Sequence, residues 1–278
     1  MNIPTLVATA IVAWASANVL HEILGHAGAA LLLGIPVRAV STTTASIDWS
    51  RIQSITEYRV IHVGGTAGNL ITGAVALLAL YRLKTLGSAS GYFLWLFAAF
   101  SSVIVTLNLI SAPLIGGGDW VEVLTHVAPQ STWKAVIIAV GVVLATVGYY
   151  LPLRLWMPKL TGHRLALLCV TGIPVITVII MQSLSSLRSP FATLPPESNH
   201  LLASVFAYFH FVLWMILVNV ISWPRSGRPV ESISLPRSNT WLLVGFVVLA
   251  FYVCVLGPGI GSFEGDPRLA LYFEGYAK

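Results

Sequence analysis

The chain has 278 residues, of which only 25 are charged (15 Lys and Arg, 10 Asp and Glu), while 56% are hydrophobic. A soluble domain carries about a quarter charged residues, so a mean hydropathy of +0.85 excludes the soluble classes and intrinsic disorder together. The formal net charge of +5 is scattered between apolar runs, which speaks against a nucleic-acid partner; the two cysteines, Cys169 and Cys254, lie inside such runs and read as packed thiols.

A membrane-spanning helix needs about 20 predominantly apolar residues. Seven segments meet that length: 4–35, 60–81, 92–115, 134–153, 165–187, 201–223 and 240–260. They lack the strict alternation of a membrane barrel, and lipid offers no partner for free backbone groups. The expected fold is therefore an all-α polytopic membrane protein with about seven transmembrane helices. The cations divide nearly evenly between the loops of the two sides, so the positive-inside asymmetry does not orient the chain.

The first segment resembles a signal peptide at Ala15-Ser16-Ala17, but no basic region precedes it and the apolar stretch continues. It reads as a retained helix with Pro4 in its first turn. Its length, about 48 Å, exceeds the ~30 Å hydrocarbon core, so its far end should emerge or bend. Within it lies His21-Glu22-Ile23-Leu24-Gly25-His26. Glu22 is the one acidic residue in all seven segments. An ionisable cluster at membrane depth marks a functional site by default.

The metalloprotease pattern His-Glu-x-x-His places two imidazoles at i and i+4 on one helix face. Here the second imidazole is at i+5, about 140° away on a regular helix. A one-residue π bulge would restore a common face, and Gly25 sits where that bulge forms most easily. Glu22 and His26 form an alternative i, i+4 ligand pair. A catalytic zinc takes three protein ligands, and the candidate for the third is Asp119, after Gly116-Gly117-Gly118. Glu122, His62 and His126 are the fallback ligands or supports, whereas His163, His200 and His210 read as loop or interface residues. Helix parity favours Asp119. His21 lies about 25 Å along the first helix, and Asp119 and the start of the second segment fall on that same side.

Between the first two segments, Val37–Thr44 is β-branched and polar enough to form a strand pair. Asn69 and Asn108 are amides in otherwise apolar helices. The second half of the chain, 134–278, holds four helices and no recognisable motif, with Pro174 expected to kink the fifth. It reads as a C-terminal region of unknown role, able to engage a further membrane partner, beside a core at 1–133.

Over residues 1–125 the chain resembles the site-2 protease family of intramembrane zinc metalloproteases. That family has His-Glu-x-x-His in one membrane helix, a Gly-Pro-x-Ala-Asn-like turn opening a later one, and an Asn-x-x-Pro…Asp-Gly motif. The matching stretches here are His21–His26 with one residue inserted, Gly65-Thr66-Ala67-Gly68-Asn69 without the proline, and Asn108…Pro113…Asp119 with glycine before the aspartate. The resemblance implies a three-helix metalloprotease-like core holding one Zn2+ per chain through His21, His26 and Asp119. It implies Glu22 as general base, and Asn108 at the substrate backbone or developing oxyanion. It assigns Asn69 to helix packing or substrate contact. It further implies a membrane-protein substrate added along the edge of the 37–44 segment, and a site near the cytosolic leaflet. The contrasting expectations are a catalytically silent scaffold or chaperone of the same fold, and a metal-binding transporter or sensor.

Overall fold

Helix α1, Ile3–Leu32, begins where the sequence supplies a cap. The Asn2 carboxamide accepts from the Thr5 backbone N–H at 3.0 Å, and Pro4 lies in the first turn, where no N–H is needed. Its inner face is built from Leu6, Ala10, Ala13 and Ala17, all fully buried. Small side chains there let α3, Ala89–Ile115, approach with Trp95, Leu96 and Phe100, also fully buried. Trp14 of α1 meets Phe100 edge to face at 6.0 Å. At the far end of α1, Leu32 is 90% exposed.

The computed structural model describes residues 2–82, 88–160, 164–189, 209, 212–214, 216 and 235–264. Among these, six helices are long and apolar enough to cross a membrane, an architecture consistent with an all-α membrane protein. Besides α1 and α3 they lie in α2, Ile55–Arg82; α5, Gln130–Leu160; α6, Arg164–Ser186; and α7, Asn239–Leu256. The short α4, Asp119–Val123, lies between α3 and α5. Pro174 falls inside α6. The sixth apolar segment, 201–223, lies outside the described residues apart from isolated positions, of which Trp214 packs on Trp95 and Phe100. The main apolar cluster joins Leu6, Trp14 and Phe100 with Val178, Met181 and Tyr252, so helices from both halves of the chain share it.

Among the described residues, three short strands complete the fold. The expected strand pair is present but reaches further along the chain: β1 is Val37–Val40 and β2 is Ala45–Ile47, so residues 41–44 form the turn. They pair antiparallel, with Val37 opposite Ile47 and Val40 opposite Ala45. A third strand, β3 at Ile260–Gly261, occupies the other edge of β1, so the order is β2-β1-β3. The outer edge anticipated for β1 is therefore filled by the chain's own C-terminal part.

The crossing of α1 and α2 positions the rest of the site. A Cβ on Gly25 would lie 2.5 Å from the Gly65 Cα, one on Gly64 would lie 2.5 Å from the Gly25 carbonyl oxygen, and one on Gly68 would lie 3.0 Å from the Leu20 oxygen. The two backbones touch, as small-residue crossings in membranes allow. Gly25→Ala is expected to lower stability by about 1–3 kcal/mol through overpacking. Gly28→Ala, whose methyl would meet only the Ile23 oxygen at an ordinary 3.6 Å, should be neutral or stabilising by up to ~1 kcal/mol. Thermal unfolding of the two variants in detergent checks the contrast.

Candidate metal centre

Residues Leu20–Ala27 of α1 form a π turn, with Gly25 within it. The wider turn adds the residue that the i+5 spacing requires, and His21 and His26 face each other with Nε2 atoms 3.3 Å apart. Both imidazoles are buried, at 4% and 7% exposure. The chain leaves α3 through Gly116 and Gly118, whose φ angles of 79° and 92° are left-handed and favour glycine. That turn sends Asp119 back over the histidines, and its Oδ2 lies 3.2 Å from each Nε2.

The short helix carrying Asp119 is tied to α2 at three points. Trp120 Nε1 donates to Thr66 Oγ1 at 2.9 Å; Arg59 donates to the Val123 and Thr125 carbonyls at 3.0 Å each; the Tyr58 hydroxyl donates to Glu122. Tyr58, Arg59 and Trp120 carry no motif, and nothing local in the sequence marks them; Thr66 lies in the 65–69 stretch, at the place of the missing proline. Glu122, a fallback ligand by sequence, is engaged in this docking instead.

The protonation of the two rings follows from their other nitrogens. Asn69 Nδ2 donates to the Ala17 carbonyl at 2.9 Å, which leaves its Oδ1 as the acceptor facing His21 Nδ1 at 2.8 Å. His26 Nδ1 faces the Ile61 carbonyl at 2.8 Å, an acceptor only. Each Nδ1 therefore carries a hydrogen, and each Nε2 is turned into the site. This is the arrangement of metal-binding histidines, whose remote N–H is held by an oxygen. Asn69 is 1% exposed, and both ends of its amide serve this support.

Two imidazole lone pairs and a carboxylate oxygen at 3.2–3.3 Å repel unless a cation lies among them. Burial by itself raises the Asp119 carboxyl, but a charge on His26 and hydrogen bonds from His21 and His26 outweigh it and hold the group well below the ordinary carboxylate range. A proton meets part of the demand. An ion held tetrahedrally at about 2.0–2.1 Å has ligand atoms about 3.3 Å apart, and the three edges here match it. Gly65 leaves the space: a Cβ there would lie 2.5 Å from His26 Nε2 and 2.7 Å from His21 Nε2. Among the described residues, His21, His26 and Asp119 form a group that could hold a metal ion.

Around this triangle the other sequence candidates take separate places. Glu22 follows His21 in the π turn and is half-buried. Asn108 lies in a second π turn, Leu107–Ser111, where its Nδ2 donates to the Ile104 carbonyl at 3.2 Å. Its Oδ1 is on the side of the glycine turn, 3.8 Å from where a Gly118 Cβ would lie. His62 stands beside Asp119, with Nδ1 3.7 Å from Oδ1. His126 is exposed. His163, His200 and His210 lie outside the described residues.

No family model matches this chain, and comparison with curated proteins and with solved structures finds no match either. Two substitutions probe the site directly. Asn69→Leu removes the acceptor that orients His21 and is expected to weaken divalent-ion affinity 10- to 100-fold. Gly65→Ala places a methyl against both Nε2 atoms and should abolish uptake. Calorimetric titration of the full chain in detergent, with His21→Ala as the ion-free reference, checks both.

Proposed function

We propose that this chain is a zinc-dependent intramembrane endopeptidase of the site-2 protease kind, cleaving a membrane-embedded segment of another protein. The observation that carries the reading is the π turn that contains Glu22 and brings the His21 and His26 imidazoles together at Asp119. Zinc suits the donor set of two imidazoles and one carboxylate, with a fourth position left for water or substrate. When bound, it would lower the pKa of a water molecule toward 7 and polarise the scissile carbonyl.

The chain's own residues supply the remaining steps. Glu22 takes the proton of the attacking water and delivers it to the leaving amine. It stands next to His21, in a helix otherwise free of acidic side chains. Asn108 offers an amide to the substrate backbone from the second π turn. Asn69 acts behind His21 as a positioning residue. The setting is an integral, multi-pass membrane protein, with the site near the cytosolic leaflet by the family resemblance. A peptide bond within a helix must unwind before its carbonyl reaches the metal, so substrates with locally unstable helices are favoured.

The test uses the full chain in liposomes with single-span reporter helices that carry a Gly- and Asn-rich midsection. Wild-type protein should hold one zinc and cleave a reporter within that midsection. Glu22→Gln should retain the zinc and lower cleavage 10²- to 10⁴-fold. Absence of stoichiometric zinc, or cleavage undiminished in Glu22→Gln, overturns the reading. Zinc binding with no cleavage of any reporter points instead to a silent scaffold or a metal sensor of the same fold.

A further inference from the structure

We propose that His62 is the positioning residue of Asp119, holding the outer carboxylate oxygen so that the inner one faces the metal. The inference rests on the metal-centre reading above and extends it to a residue with no part in the motif.

Helix α2 lies behind the whole triangle. It supplies an oxygen to each imidazole: Asn69 Oδ1 to His21 and the Ile61 carbonyl to His26, both at 2.8 Å. The third ligand needs a partner of the opposite kind, a donor, because a carboxylate only accepts. His62, next to Ile61 on the same helix, is that donor. Its Nδ1 faces Asp119 Oδ1 at 3.7 Å, on the carboxylate oxygen that does not contact His21 and His26.

Two further observations single out this imidazole. Both of its nitrogens are buried and lack a hydrogen-bond partner, a state that is unfavourable unless a partner is supplied. The ring is also clamped. Trp49 stacks on it at 5.6 Å with a 17° interplanar angle, and Tyr58 packs against it at 4.6 Å. A held ring with an unused donor, less than an ångström beyond hydrogen-bond range of the outer oxygen, is completed by a small rotation of Asp119. His62 is not a fourth ligand by this geometry, since its ring centre stands 6.2 Å from that of His26. It acts through Asp119, as carboxylate supports do in metal sites generally.

The experiment measures metal binding by the full chain in detergent, with Zn2+ for affinity and Co2+ as a spectroscopic probe. His62→Phe keeps the ring volume and removes both nitrogens; His62→Asn returns an amide donor near the Nδ1 position. The expected result is a 10- to 100-fold loss of Zn2+ affinity and an altered Co2+ visible spectrum in His62→Phe, with most of the affinity recovered in His62→Asn. Wild-type affinity and an unchanged spectrum in His62→Phe overturn the proposal while leaving the metal centre intact. If the wild-type chain takes up no stoichiometric ion, the metal centre itself fails and this inference with it. Histidine side-chain 15N NMR of the unmutated chain supplies a measurement independent of variant folding. On zinc loading, His62 should remain unligated with Nδ1 protonated; an Nδ1 without its proton, or ligation through either nitrogen, overturns the assignment.

Discussion

The site depends first on how closely α1 and α2 approach. Their backbones meet at Gly25 on one side and Gly64, Gly65 and Gly68 on the other, and a single added methyl at the centre of that contact would lie 2.5 Å from backbone. A conventional helix pair packs at 8–10 Å between axes with side chains interposed; here the glycines remove that layer. Because the layer is missing, short-range partners on α2 reach the imidazoles of α1 directly. A backbone carbonyl suffices for His26, and one asparagine suffices for His21. The same absence of side chains opens the space in which the lone pairs converge.

A second requirement acts along α1 itself. On a regular helix His21 and His26 diverge, and the π turn from Leu20 to Ala27 closes that divergence by widening one turn of the ladder. Gly25 contributes twice. It lies within the bulge and it is also the point of contact with α2, so helix geometry and helix packing constrain one residue. The second π turn, at Leu107–Ser111, stands just before the left-handed glycine turn that redirects the chain into α4. In α1 and α3 the irregular backbone thus lies where site residues are placed, and the regular parts carry the apolar core.

Asp119 illustrates how the remaining ligand is placed without a long rigid element. Five residues of helix cannot hold a carboxylate by themselves. Trp120, Glu122 and the carbonyls of Val123 and Thr125 each find a partner on α2, so α4 is oriented by its docking and not by its own stability. Helix α2 is therefore the frame of the site, although it contributes none of the three ligand side chains. The C-terminal half joins the architecture through the shared apolar core, through β3 on the edge of β1 and through hydrogen bonds such as Tyr252 to Asn18.

Composition and spacing alone establish that the chain is helical and apolar enough to cross a membrane repeatedly, because hydropathy is summed over each segment and needs no tertiary information. They also isolate His21, Glu22 and His26, since a charge inside an apolar run stands out from its surroundings. Asp119 could be placed on the same side by counting helices. The register of the two imidazoles, the orientation of Asn69, the docking of α4 and the position of His62 were not legible in the same way. Each depends on which residues of distant segments come within about 3 Å, and a hydrogen bond of that length between Arg59 and Val123 leaves no periodic trace in either stretch. The strand on the far edge of β1 is the clearest case: two residues, Ile260 and Gly261, have no pattern of their own and become a strand only because β1 offers unpaired backbone beside them.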